Sequence, residues 1–146
     1  RLWNSTTWSE ENGCWIAYYG DGSGTNFTVT TFDVIEVTLT DSGTQTITMT
    51  INADINYDAY RTITLVDEDY NKGYNYTGYT STASSTLKNI ADNNISMTFG
   101  ELISVWDNST YDWHFYVVGF GGEPNQVVER WMVVETNVNT TKTWGM

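Results

Sequence analysis

Residues 34–51 read Val-Ile-Glu-Val-Thr-Leu-Thr-Asp-Ser-Gly-Thr-Gln-Thr-Ile-Thr-Met-Thr-Ile. Ile35, Val37 and Leu39 alternate with Glu36, Thr38 and Thr40, and Ile47, Met49 and Ile51 alternate with Thr46, Thr48 and Thr50. A period of two is the mark of a strand with one face buried. Asp41-Ser42-Gly43 lies between the two runs and has the composition of a tight turn, so the stretch predicts a β-hairpin. The alternation starts earlier, with Phe27 and Val29 against Thr28 and Thr30, so residues 26–40 read as one long extended stretch or two strands joined at a bend. Residues 60–66 repeat the pattern, with Thr62 and Thr64 on one face.

The rest of the chain supports the same class. Residues 14–19 predict a first strand, followed by the turn Asp21-Gly22-Ser23-Gly24. Residues 67–73 form an acidic loop, 74–80 a strand and 81–85 a link. Residues 95–99 suit another strand. Over 99–106 two predictions compete, because Phe99, Leu102, Ile103 and Trp106 have helical spacing and Thr98 with Glu101 has the spacing of a capping box. Residues 113–120 and 127–134 are apolar on both faces and predict central strands, with Gly121-Gly122-Glu123-Pro124 turning the chain between them. Residues 137–146 alternate again. The expectation is an all-β domain over 1–146, a β-sandwich or jelly roll of about eight to ten short antiparallel strands with one short helix at 99–106 as the alternative to a strand there.

Composition agrees. The chain has 146 residues, 24 Thr, 14 Asn, 10 Tyr and 7 Trp, but one Pro and three Lys. Thr, Tyr and Trp suit a pleated, half-buried surface. A net charge of −12 argues against nucleic acid and anionic lipid as partners, since both would be repelled. No run approaches the ~18 apolar residues of a spanning helix. A lone Cys14 excludes a disulfide scaffold and reads as a small buried hydrophobe or the source of an intermolecular disulfide. The chain opens on Arg1 with no charged-then-apolar leader, which is read as a secretion signal already removed.

The triplet Asn-x-Ser/Thr occurs at Asn4, Asn26, Asn75, Asn94, Asn108 and Asn139. Chance predicts about three in a chain of this composition. The excess points to an extracellular, N-glycosylated protein, although a Thr- and Asn-rich sequence also makes such triplets by accident.

Asp67, Asp69 and Asn71 alternate before Gly73, as oxygen ligands do in calcium loops, and a second alternation runs through Asn52, Asp54, Asn56 and Asp58. The glycine stands one place later than in an EF-hand and no closing Glu follows, and Asx residues also simply make turns. Calcium is the one cofactor the sequence suggests.

Trp3, Trp8, Tyr70, Tyr74, Tyr76 and Tyr79 stand in loop or edge contexts, where flat rings could stack on sugars; Trp15, Trp113 and Trp131 stand in strands and read as core. No HExxH, GxSxG or phosphate-binding loop occurs, and the lone His114 reads as a packed residue in an aromatic strand. Two carboxylates at the right separation could hydrolyse a glycoside, and Glu36, Glu129 and Glu135 are the strand-borne candidates, but nothing in the sequence pairs them. No enzyme is expected.

β proteins blunt sheet edges with Lys, Pro or inward charges. Residues 45–51 and 60–66 have high β-propensity and almost no charge, so the edges call for glycans, mutual repulsion or pairing with another copy. Residues 1–13, with Leu2, Trp3 and Trp8, are the expected donor strand, and 136–146 a second candidate. This character (acidic, rich in Thr, Asn and Tyr, dotted with glycosylation triplets, poor in Lys) resembles that of archaeal surface-filament and sheath subunits. The resemblance implies glycosylated β-sandwiches polymerised by strand exchange. The expected function is thus a structural subunit of an extracellular filament or cell-surface assembly, partnered by copies of itself. The alternative is a secreted carbohydrate-binding module.

Overall fold

Leu102-Ile103-Ser104-Val105-Trp106-Asp107 is the run from which the largest sheet is built. A computed structural model describes residues 2–3, 15–19, 21–29, 34–38, 62–67 and 74–146. The strands, in chain order, are β1 (Leu2–Trp3), β2 (Trp15–Ile16), β3 (Thr62–Leu65), β4 (Tyr74–Gly78), β5 (Ser85–Thr86), β6 (Leu102–Asp107), β7 (Asp112–Val117), β8 (Gly121–Gly122), β9 (Val127–Val128), β10 (Val133–Asn137) and β11 (Lys142–Gly145). Among the described residues the fold is largely β-stranded, with several antiparallel sheets and one short helix. Among the described residues a five-stranded sheet runs β4-β10-β6-β7-β8, and β1-β2, β11-β3 and β5-β9 form two-stranded pairs.

Register explains the two faces of the large sheet. Val134 pairs with Val105 and Thr136 with Ile103, while Ile103 in turn faces Tyr116 and Val105 faces His114. Ile103, Val105 and Val134 are fully buried on this face, each worth on the order of 1.5–3 kcal/mol. They pack with Leu65, Val128, Val138, Trp144 and the helix into the main core. Side chains at the intervening positions, Trp106, Trp113 and Tyr76 among them, lie on the other face.

The helix comprises α1 (Leu87–Asn89) and a π-helical turn, Ile90–Ile95. Thr86 caps it, its hydroxyl accepting from the Asn89 N–H at 3.2 Å. Leu87, Ile90, Ala91 and Ile95 fall on one stripe and are all buried.

Several sequence expectations hold. Residues 14–19, 60–66, 74–80 and 137–146 contain β2, β3, β4 and β11, and Thr62 and Thr64 are exposed while Leu65 is buried. Others are corrected. Residues 99–106 are not helical: Glu101 donates its N–H to the Thr98 carbonyl at 3.1 Å, Gly100 takes φ +87°, and β6 follows that turn. Residues 95–99 are not a strand, because Ile95 closes the helix and Ser96 turns left-handed at φ 59°. The run 127–134 is broken by a turn at Glu129–Met132, where the Met132 N–H bonds the Glu129 carbonyl and Trp131 takes φ 76°. Gly121 and Gly122 belong to β8 rather than a turn; a Cβ on Gly122 would sit 2.5 Å from the Phe115 carbonyl oxygen. The hairpin of residues 39–51 lies outside the described residues, as do the Asn52–Asp58 alternation and Cys14.

Candidate functional site

The N-terminal strand is paired inside its own chain. Leu2 faces Ile16 and Trp3 faces Trp15, Leu2 also bridges Ile35, and the Trp3 N–H donates to the Val34 carbonyl at 3.0 Å. β1 therefore lies between β2 and residues 34–35. Leu2 and Trp3 are buried, and Trp3 and Val34 form a second apolar cluster with Trp15, Tyr76 and Val133. Trp8 lies outside the described residues. The other donor candidate is paired as well: Lys142 faces Leu65, and Gly145 faces Thr62.

This second cluster opens into a continuous row of rings. Trp3 meets Trp15 at 5.4 Å and Tyr76 at 4.8 Å between centroids, both edge-on. Tyr76 meets Trp113 at 6.3 Å, and Trp113 meets Trp106 at 5.6 Å. Edge-to-face pairs of this kind add about 0.5–1.5 kcal/mol each beyond their buried area. Trp113, expected in the core, is instead 37% exposed, because its strand position points away from the helix. Trp131 is likewise exposed, on the turn that breaks the expected strand, with the Arg130 guanidinium 4.7 Å from its ring centre. Tyr79, expected at an edge, is buried and donates its hydroxyl to the Ala83 carbonyl. Tyr70 is outside the described residues.

The glycosylation triplets divide sharply. Asn26, Asn94, Asn108 and Asn139 are exposed, and Asn4 lies outside the described residues. Asn75 is 4% exposed. Its side chain accepts from the Val66 N–H at 2.9 Å and donates to the Val66 carbonyl at 3.0 Å, standing in for a backbone partner along β4. A sugar on its nitrogen would break that bridge, so the folded chain offers no room for a glycan there.

Of the calcium candidates, Asp67 is described: it is half-buried and accepts from the Thr141 hydroxyl at 3.1 Å. Asp69 and Asn71 lie outside the described residues. Among the described residues no cluster of three or more His, Cys, Asp or Glu has the geometry to hold a metal. The three carboxylates weighed for hydrolysis stand in different settings. Glu36 accepts from the Thr38 hydroxyl, Glu129 is exposed in the 129–132 turn, and Glu135 accepts from the Ser104 hydroxyl in mid-sheet.

His114 sits in a polar cluster the sequence did not reveal. Its Nδ1 meets a Glu123 carboxylate oxygen, its Nε2 lies 3.2 Å from the Thr110 hydroxyl, and Asp107 is 3.8 Å from the same nitrogen. Carboxylate, imidazole and hydroxyl thus stand in the order of a hydrolytic triad. The surrounding backbone assigns them another task. Asp107 accepts from the N–H and hydroxyl of Ser109 at 2.7 Å each, the Thr110 N–H faces the same carboxylate, and the Tyr111 N–H bonds the Asp107 carbonyl at 2.9 Å. The three N–H groups around the hydroxyl are therefore turned to Asp107 rather than toward an oxyanion. The cluster fastens the β6–β7 turn and ties β7 to residue 123.

That fastening depends on pH. The Ser109 side chain, then the Ser109 backbone, holds the Asp107 carboxyl below its ordinary value of 3.8. A depressed folded pKa means the turn gains stability from the ionised carboxylate above pH 3.8 and loses it as pH falls toward the folded value. The protection of the Ser109 amide, taken relative to its intrinsic exchange rate at each pH, should fall over that acid range, and Asp107→Asn should remove most of the acid dependence; unchanged protection in the parent would contradict this role.

No protein-family model matches the chain, and neither does any curated protein or solved structure. No helix among the described residues is long and apolar enough to cross a membrane.

Proposed function

We propose that this protein is a structural subunit of an extracellular filament or cell-surface assembly, polymerised by β-strand addition and N-glycosylated at solvent-facing triplets. The observation that carries the reading is the seat of β1. Two buried side chains, Leu2 and Trp3, plug a groove made by residues far along the chain (Val34, Ile35, Tyr76 and Val133), yet the pairing with β2 is only two residues long. The same seat exists in every copy, so moving β1 into a neighbour keeps each contact while joining two subunits. Residues 4–14 link β1 to β2, and eleven residues can span up to about 36 Å when extended. Each copy donates one strand and accepts another, and head-to-tail exchange of this kind builds an open filament when successive rotations do not close a ring.

The same reading takes the sheets as the layers of a β-sandwich, with the five-stranded sheet between the main core and the β1–β2 layer.

The test is strand complementation. A chain lacking residues 1–13 should bind a synthetic peptide of residues 1–13 and stop assembling, and Trp3→Ala in that peptide should weaken binding at least tenfold. Electron microscopy of the full-length native protein should show filaments. A full-length protein that stays monomeric when concentrated, with no peptide binding by the truncated chain, refutes the proposal.

The alternative is carbohydrate binding, favoured by the exposure of Trp113, Phe115 and Tyr74 on strands of the large sheet. It predicts glycan affinity that Trp113→Ala abolishes in a protein that does not polymerise.

A further inference from the structure

The geometry points to Asn108 as an occupied glycosylation site whose first sugar stacks on Trp106. Among the six triplets Asn108 alone has an aromatic residue two places before it, in Trp106-Asp107-Asn108-Ser109-Thr110. Backbone alternation places residues 106 and 108 on the same side as β6 enters the turn. The side chains meet there: the indole N–H of Trp106 donates to the Asn108 side-chain oxygen at 2.9 Å. Asn108 is exposed, and the bond engages its side-chain oxygen rather than the amide nitrogen that carries an N-linked sugar.

The platform is fixed before any sugar arrives. Trp106 packs edge-on against its cross-strand partner Trp113, 5.6 Å away, and Asp107 secures the turn through Ser109. A ring held in this way loses little freedom when the apolar face of a pyranose settles on it, so stacking stabilises the hairpin. The exposed asparagines at 26, 94 and 139 are preceded two places earlier by Gly24, Asp92 and Asn137, which offer no ring.

The modification transfers an oligosaccharide from a polyprenyl phosphate or pyrophosphate donor. The bond from sugar C1 to the Asn108 amide nitrogen forms as the C1–oxygen bond to phosphate breaks, the nitrogen loses one proton, and the lipid phosphate leaves. This inference rests on the glycosylation part of the proposed function and is independent of strand exchange.

Two measurements test it. Glycopeptide mass spectrometry of the native protein should find Asn108 occupied. Finding Asn108 bare while Asn26, Asn94 or Asn139 carries sugar overturns this inference alone; finding every triplet bare overturns the glycosylation reading as well. Thermal unfolding then tests stacking. Protein made without the oligosaccharyltransferase should melt about 3 °C below the glycosylated parent, and the gap should be much smaller in a Trp106→Leu background. An equal gap in both backgrounds overturns the stacking.

Discussion

Glu101→Ala is expected to lower the unfolding free energy by about 3–5 kcal/mol, the penalty for breaking a buried ion pair by removing one partner. Glu101 is 0% exposed, and Lys142 Nζ lies 3.3 Å from its carboxylate with that side chain only 11% exposed. The carboxylate also accepts from the Thr98 N–H at 2.6 Å and the Asn139 N–H at 2.8 Å. One side chain thus joins the turn before β6, the loop after β10 and the start of β11. Alanine would leave a poorly solvated ammonium, whose remaining bond is to the Ser96 carbonyl at 3.2 Å, and two N–H groups without their acceptor. Glu101→Gln keeps an acceptor and removes the charge, so it should cost less than the Ala variant. Urea unfolding measures both; a midpoint for the Ala variant within error of the parent would show that this carboxylate does not hold the three segments together.

The same residue shows why the sequence misleads between 98 and 107. The reach from Glu101 back to the Thr98 N–H is one half of a capping box, and it is present. No helix follows, because Gly100 supplies a left-handed residue and Ile103, Val105 and their neighbours alternate between faces once β6 begins. A local capping signal cannot distinguish a helix start from a turn; the partner strands β7 and β10 decide it. The helix that does form was legible in principle, in Thr86 as a cap and in the Leu87, Ile90, Ala91 and Ile95 stripe. Its six-residue π-helical end, Ile90–Ile95, blurs the 3.6-residue period that would have exposed it.

Strands with one buried face were the readable part. β3 alternates because Thr62 and Thr64 meet solvent while Leu65 meets the core. Residues 127–134 read as one strand because Val127, Val128, Val133 and Val134 are all apolar, but Trp131 at positive φ turns the chain between them. The candidate sites were less accessible. Asn75 carries the same triplet as Asn108, and only the antiparallel placement of residue 66 beside β4 buries it. The link between His114 and Glu123 depends on β7 pairing with β8, a long-range register no local pattern encodes.

Trp144→Ala is expected to cost about 3–5 kcal/mol, the range for emptying a buried Trp site. Trp144 is fully buried on β11, where it faces Ile63 of β3 and stacks at 32° against Tyr79, 6.1 Å away. It also belongs to the core that includes Leu65, Ile90, Ile95 and Val138, so the hole would open where the β11–β3 pair and the helix meet the large sheet. Tm should fall by roughly 10 °C. The comparison with Trp3→Ala separates packing from assembly. Trp3 is also buried, but in the smaller cluster that the proposed exchange transfers between copies. If β1 is donated, the loss caused by Trp3→Ala depends on protein concentration, since the partner's strand stabilises by mass action. The loss caused by Trp144→Ala does not, because both strands of the β11–β3 pair stay within one copy. Thermal unfolding of both variants over a hundredfold range of concentration reads the difference directly. Concentration-independent losses in both would place β1 permanently in its own groove and remove strand exchange as the means of assembly.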